Sequence, residues 1–178
     1  MIHCISCIKP LKSNQIIYSN KLEAKRHQTS KMVDTVSTET RSRIMASIHG
    51  KNTKPELLMR KALHSAGFRF RIHRKDLPGK PDIVLPKYRA VIFVHGCFWH
   101  GHNCLLFKSP KTRVDYWKEK INRNRNNDKK VTQALLESGW RVGIVWECAM
   151  SHNSRDIGDI TKRFAIWLRG NEPFIEET

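Results

Sequence analysis

The sequence is short of acidic residues, of long apolar runs and of cysteine pairs, and each shortage excludes something. Against 33 lysines and arginines stand 16 aspartates and glutamates, a formal charge of +17 over 178 residues. A surplus of that size points to a polyanionic partner, because each phosphate contact releases condensed counterions. No apolar run approaches the roughly 20 residues needed to span a bilayer. Near the N-terminus, Ile16-Ile17-Tyr18 is too short for the apolar region of a signal peptide. The plainer readings of the charge are a ribosomal-type RNA binder or a membrane-surface protein. The lack of an apolar run argues against the second, and the expectation is a cytoplasmic protein with no membrane partner. In a reducing compartment the five cysteines point to metal rather than to disulfides. Cys4-Ile5-Ser6-Cys7 is a lone CxxC with no second pair, half of a zinc site at best.

The first 31 residues hold six of the basic residues and one acid, so the remaining 27 and 15 keep a surplus of 12. The basic character therefore belongs to residues 32–178. Residues 1–31 show no periodicity and are expected to be a dispensable, disordered extension, with Met32 as the functional start. Residues 32–170 are expected to form one domain and 171–178 a C-terminal tail.

Ser37 to Ile48 reads as a short helix with Ile44, Met45 and Ile48 on one face. Thr53-Lys54-Pro55-Glu56 is a capping box, in which the threonine hydroxyl caps the Glu56 amide and the glutamate reaches back. A helix follows and stops at Gly67. Phe68, Phe70 and Ile72 alternate with Arg69, Arg71 and His73, the period of a strand with one buried face. Ile83–Leu85 and Ala90–Val94 read as a hairpin split by Pro86-Lys87-Tyr88-Arg89. Thr112 with Asp115 signals a long helix from about Arg113 to Ser138, stopped by Gly139. Val142 to Trp146 reads as a buried strand and Ile157 to Leu168 as a last helix. Helix, three strands, long helix, strand and helix make a small mixed sheet flanked by helices, an α/β sandwich.

The chemistry concentrates in Gly79 to Cys104, GKPDIVLPKYRAVIFVHGCFWHGHNC. Cys97-x4-His102-x-Cys104 packs three potential ligands into a loop, and Cys148 follows the strand that the crossover helix brings alongside. Four nitrogen and sulfur ligands saturate tetrahedral zinc, so Zn²⁺ here would be structural. The alternative is that Cys148 is simply a small buried residue. His95 and His100 stay outside that set and, with Asp82 across the hairpin, are candidates for handling a proton or a phosphate oxygen. Histidines at strand ends are more often hydrogen-bonded spectators. Phe98 and Trp99 sit together on a metal-pinned loop of a basic protein, suited to wedge between base pairs. Trp117 could join them or belong to the core.

Leu77-Pro78-Gly79-Lys80-Pro81-Asp82, the run Tyr88 to His100, Gly139-Trp140-Arg141-Val142 and Trp146-Glu147-Cys148 resemble the very short patch repair (Vsr) mismatch endonucleases. The resemblance extends from Thr40 to about Leu168 and leaves residues 1–31 outside. It implies the fold of type II restriction endonucleases, usually marked by Pro-Asp and then an acid-x-Lys triplet. Pro81-Asp82 is present, but the triplet position reads Phe93-Val94-His95, a departure for which that family is known.

The resemblance further implies that Asp82 and the backbone carbonyl of Val94 hold catalytic Mg²⁺. Many members carry threonine at the Val94 position, a change that a backbone ligand survives. His95 and His100 would position or deprotonate the attacking water and contact the phosphate, and Glu56 would act through a water on the metal. Glu56 cannot easily cap its helix and serve the metal together. The zinc set carries over as Cys97, His102, Cys104 and Cys148, and Phe98, Trp99 and Trp117 as the wedge. The implied activity is nicking of one strand of mismatched double-stranded DNA beside T:G mismatches left by 5-methylcytosine deamination. The implied agent is a bacterial, nucleoid-associated monomer that hands its product to downstream repair proteins. The competing reading is a zinc-stabilised nucleic-acid binding module without catalysis.

Overall fold

The computed structural model describes residues 37–47, 50–150 and 157–178, all within the unit Asp34–Thr178. The expected extension with Cys4 and Cys7, Ile48, and the side chains of Ile44 and Met45 lie outside the described residues. Helix α1 spans Thr38–Ser47, its start marked by the Ser37 hydroxyl accepting from the Thr40 amide at 3.2 Å. Helix α2, Lys54–Ser65, opens at the expected box, with the Thr53 hydroxyl accepting from the Glu56 amide.

The strand expected over Phe68–His73 does not form. Arg71 alone bridges Val84, and His73 turns to a left-handed φ of 57°, which ends any pairing. Phe68 is buried at 2 % exposed, but Ile72, expected on the same face, is 41 % exposed, since no ladder holds the alternation.

The hairpin is as expected: β1, Ile83–Leu85, pairs antiparallel with β2, Ala90–His95, across a 3-10 turn at Pro86–Tyr88. The segment expected to hold metal opens with a short helix, α3, Cys97–His100, where a loop was expected. Helix α4, Val114–Glu137, carries the chain over to β3, Arg141–Trp146, which pairs parallel to β2. Thr112 does not cap α4; the cap position is Arg113, at φ 51° and with no side-chain hydrogen bond. Helix α5, Ile157–Arg169, comes next. The last residues correct the expected tail at 171–178, since Phe174–Glu177 form β4, parallel to β3. The sheet order is β1-β2-β3-β4.

Strand alternation divides the core into two layers. Ile83, Leu85, Ala90, Ile92 and Val145 face α2 and α5 through Met59, Leu63, Ile160, Phe164, Trp167 and Leu168. Val84, Val91, Phe93, Val142, Ile144 and Trp146 face Leu135 of α4, with Cys97 in the same cluster. Burying each large side chain contributes about 1.5–3 kcal/mol. Gly143 lets α5 settle on the sheet, for a Cβ there would stand 2.7 Å from a Phe164 ring carbon. Among the described residues no helix is long and apolar enough to cross a membrane. The β2 and β3 ends, α3 and the middle of α4 thus meet at one end of the sheet.

Candidate active site and metal centre

A cleft of about 750 Å³ opens there, lined by Glu56, Arg60, Asp82, Val94, His95, Trp99, His100 and Asp128, with Lys51, Lys75, Lys80 and Lys120 among the cations around it. Its acidic side rests on α2 and β1. Asp82, just before β1, accepts the Val94 amide on Oδ2 at 2.8 Å, which leaves its other oxygen available. Burial pushes its carboxyl up to about 6; the Val94 hydrogen bond and nearby cations oppose the rise, and the Glu56 charge adds to it.

Glu56 is 4 % exposed and fully engaged. Oε1 accepts the Thr53 hydroxyl at 2.9 Å, and Oε2 accepts the Asn52 amide at 3.0 Å and Arg60 Nη2 at 2.8 Å. The capping reading therefore holds in geometry, and any service to a metal must pass through water. Arg60 escaped the sequence reading. Its guanidinium also donates to Asn52 Oδ1 at 2.7 Å and to the Asp82 carbonyl at 3.2 Å, tying α2 to β1. Its signal was the Glu-to-Arg spacing of four on one helix face.

The opposite side is built from histidines. The rings of His95 and His100 stack at 3.9 Å with 5° between planes. His100 Nδ1 lies 2.6 Å from Asp128 Oδ2. A carboxylate only accepts, so His100 Nδ1–H is the donor. His95 is 6 % exposed, and its Nδ1 is buried with no partner. Burial and the neighbouring His100 push it down to about 4, so it is neutral at physiological pH. The three side chains bring ligand atoms within 4.8 Å of one another. Stacked rings, however, aim their in-plane lone pairs along parallel planes and converge poorly on one ion. The arrangement suits moving a proton better than holding a metal. Asp128 was also missed. Its trace in the sequence is an isolated acid within Asn122 to Lys130.

Behind the cleft, Cys97, His102, Cys104 and Cys148 bring one ligand atom each within 4.8 Å of the others. Their spacing tests whether an ion fits. A tetrahedral site with metal–sulfur bonds near 2.3 Å and metal–nitrogen bonds near 2.0–2.1 Å has sulfur–nitrogen edges of about 3.5 Å. Here His102 Nδ1 lies 3.3 Å from Cys148 Sγ and 3.8 Å from Cys97 Sγ. Cys97 and Cys104 are thiols outside any disulfide. Burial pushes the Cys97 thiol up, a cost that a coordinated cation would reverse. Gly101 makes the turn between α3 and His102 at φ 63°, where a Cβ would stand 2.5 Å from Ile121 of α4.

Phe98, Trp99 and Trp117 form one half-buried cluster. Phe98 meets Trp99 and Trp117 edge-on at 5.2 Å each, and Trp99 lies 6.0 Å from Trp117. Lys120 Nζ stands 5.4 Å from both tryptophan rings. Asn124 donates to the Trp99 carbonyl at 2.8 Å, pinning α3 to α4. All the expected site residues of the cleft, the metal loop and the aromatic cluster thus converge on this end of the sheet.

A family model described as "DNA mismatch endonuclease Vsr" matches residues 33–106. The chain is 52% identical over 132 residues to "Type II nicking enzyme V.XorIIP" of Xanthomonas oryzae pv. oryzae, covering 74% of this chain and 94% of that protein. It is 47% identical over 123 residues to "Type II nicking enzyme V.NmeAIP" of Neisseria meningitidis, covering 69% and 88%. It is 43% identical over 140 residues to "DNA mismatch endonuclease Vsr" of Escherichia coli, covering 78% and 90%.

Proposed function

The chain belongs to the Vsr family of DNA mismatch endonucleases, and from that premise we propose that it nicks one strand of duplex DNA beside a T:G mismatch. Such mismatches arise by deamination of 5-methylcytosine, and the nick would initiate very short patch repair. The observation that carries the proposal is one cleft uniting a buried carboxylate, a histidine stack with its own aspartate, a cationic surround and an aromatic edge. The four-stranded mixed sheet flanked by helices, with its Pro81-Asp82 turn, fits a type II restriction endonuclease-like fold.

Asp82 and the Val94 carbonyl would hold magnesium. Hard oxygen donors suit that ion, and Asp82 commits only one carboxylate oxygen to the Val94 amide. When bound, magnesium supplies charge neutralisation at the phosphate and acidifies the attacking water. Glu56, with both oxygens accepting, acts from outside the inner ligand set, and Arg60 holds it in place. One of the stacked pair His95 and His100, both lining the cleft, would accept the proton of the attacking water. His100 keeps Nε2 toward the scissile phosphate because Asp128 fixes its Nδ1–H. Stacking keeps the pair from carrying two protons at once, so one proton moves per turnover.

Zinc at Cys97, His102, Cys104 and Cys148 would leave no open position and serve structure. Held there it would fix α3, and with it Phe98 and Trp99, which with Trp117 would push into the stack beside the mismatch. A mispaired step opens at lower cost than a matched one, which supplies part of the selectivity. The surrounding lysines hold the backbone without reading sequence. The protein would act as a monomer in the bacterial cytoplasm, on the nucleoid, and pass the nick to repair proteins. Residues 1–31 would be dispensable, so a chain beginning at Met32 should keep full activity.

Asp82→Ala tests the catalytic reading: nicking of a T:G duplex should vanish while binding persists. Undiminished nicking by Asp82→Ala would remove Asp82 from the site.

A further inference from the structure

Trp146, the last residue of β3, touches both sites and belongs to neither ligand set. Its ring lies on His102 at 4.1 Å with 14° between planes. Its edge meets His95 at 5.1 Å and 75°, and His100 at 6.1 Å and 80°. The contact with His95 comes from register, since the two residues are partners across the parallel β2–β3 ladder. The indole Nε1–H donates to Glu176 Oε1 of β4 at 2.6 Å, and the tryptophan is 8 % exposed.

An indole on a strand has a broad, roughly two-fold χ2 preference. Packing alone leaves two ring orientations with similar planes and different edges. The Glu176 hydrogen bond distinguishes them. With Nε1 committed to β4, the ring is fixed against His102 on one side and against the histidine stack on the other. We propose that Trp146, locked by Glu176, is a positioning residue that carries the geometry of the cysteine–histidine centre to the His95–His100 pair. The last strand thereby becomes part of the catalytic apparatus. This rests on reading His95 and His100 as the proton-handling pair. Misplacing a reacting group by about 1 Å costs on the order of 100-fold in rate, so a modest tilt of His95 is measurable.

The test uses the full zinc-loaded chain, a T:G-mismatched duplex oligonucleotide and saturating magnesium. Readouts are the single-turnover nicking rate, Kd for the same duplex, zinc content and Tm. Glu176 is exposed, so Glu176→Ala should fold; its rate should fall about tenfold, with zinc retained and Kd within about threefold of wild type. Glu176→Gln should recover most of the rate, because its amide oxygen accepts the same hydrogen bond. Trp146→Phe keeps an aromatic face and loses the N–H, and should match Glu176→Ala. The double variant should be no slower than either single one. A lower Tm with an unchanged rate, or losses that multiply in the double variant, would overturn the proposal. His95→Ala separates it from its premise. If His95→Ala nicks normally, the histidine reading has failed. If it is inactive and Glu176→Ala nicks normally, the coupling alone has failed.

Discussion

Replacing Asp128 by asparagine keeps the shape of the His100 partner and removes its charge. During the reaction an imidazole that takes a proton becomes cationic, and Asp128 is the carboxylate beside it, 2.6 Å from His100 Nδ1. At that distance two unit charges attract by about 6 kcal/mol at an effective dielectric of 20 and about 1.6 kcal/mol in bulk water. Both side chains are about a quarter exposed, which places the effect nearer the lower figure, at about 2–3 kcal/mol. Asp128→Asn should therefore slow single-turnover nicking by about 30- to 150-fold. Binding of the mismatched duplex should be unchanged, and Asp128→Glu should restore part of the rate. The assay is gel-resolved nicking of an end-labelled T:G duplex with enzyme in excess at pH 7.5. A loss under about threefold, or an equal loss in binding, would show that Asp128 does not support a charged histidine during catalysis.

Three further outcomes are expected from the same geometry. Metal analysis should find one zinc per chain, and Cys104→Ala or Cys148→Ser should lose metal and folding together, as structural zinc contributes about 10–16 kcal/mol in small domains; a stable metal-free protein would reject a structural role. The Asp82 carboxyl is raised to about 6 and must be ionised to take a cation. At limiting magnesium, nicking should accordingly be full above that pH and decline below it, and added magnesium should move the acid limb to lower pH because ion and proton compete for one oxygen; an acid limb indifferent to magnesium would separate Asp82 from the metal. Trp99→Ala should weaken binding to a T:G duplex more than to a matched duplex in titrations of both, and equal losses would return Trp99 to the core.

Much of the site was legible in the sequence because its chemistry is local. The capping box states its own hydrogen bonds, and Cys97, His102 and Cys104 lie within one turn of chain, needing only a crossover to bring in Cys148. What escaped depends on partners far away. Asp128 and Arg60 look like ordinary solvated charges on helices until the fold sets them against His100 and Asp82. Trp146 reads as core, and its hydrogen bond to Glu176 spans 30 residues. The fold shows the same division. Phe174-Ile175-Glu176-Glu177 is too short and too acidic to announce a strand, and it is ordered by pairing with β3 and by the Arg163–Glu177 ion pair at 2.5 Å. In the opposite sense, Phe68, Phe70 and Ile72 have the period of a strand but share only one bridge with β1. β1 is the edge strand of the sheet and offers a free side, but the left-handed turn at His73 ends the pairing after Arg71 and leaves Ile72 exposed.

The most direct measurement is nicking of duplex oligonucleotides that differ in the mismatch and its flanking bases, with and without magnesium. The expected result is a magnesium-dependent single-strand nick beside T:G, lost in Asp82→Ala while that variant still binds the duplex. Mismatch binding by the wild type with no nick in any substrate, magnesium present, would contradict it and leave a zinc-stabilised binding module in its place.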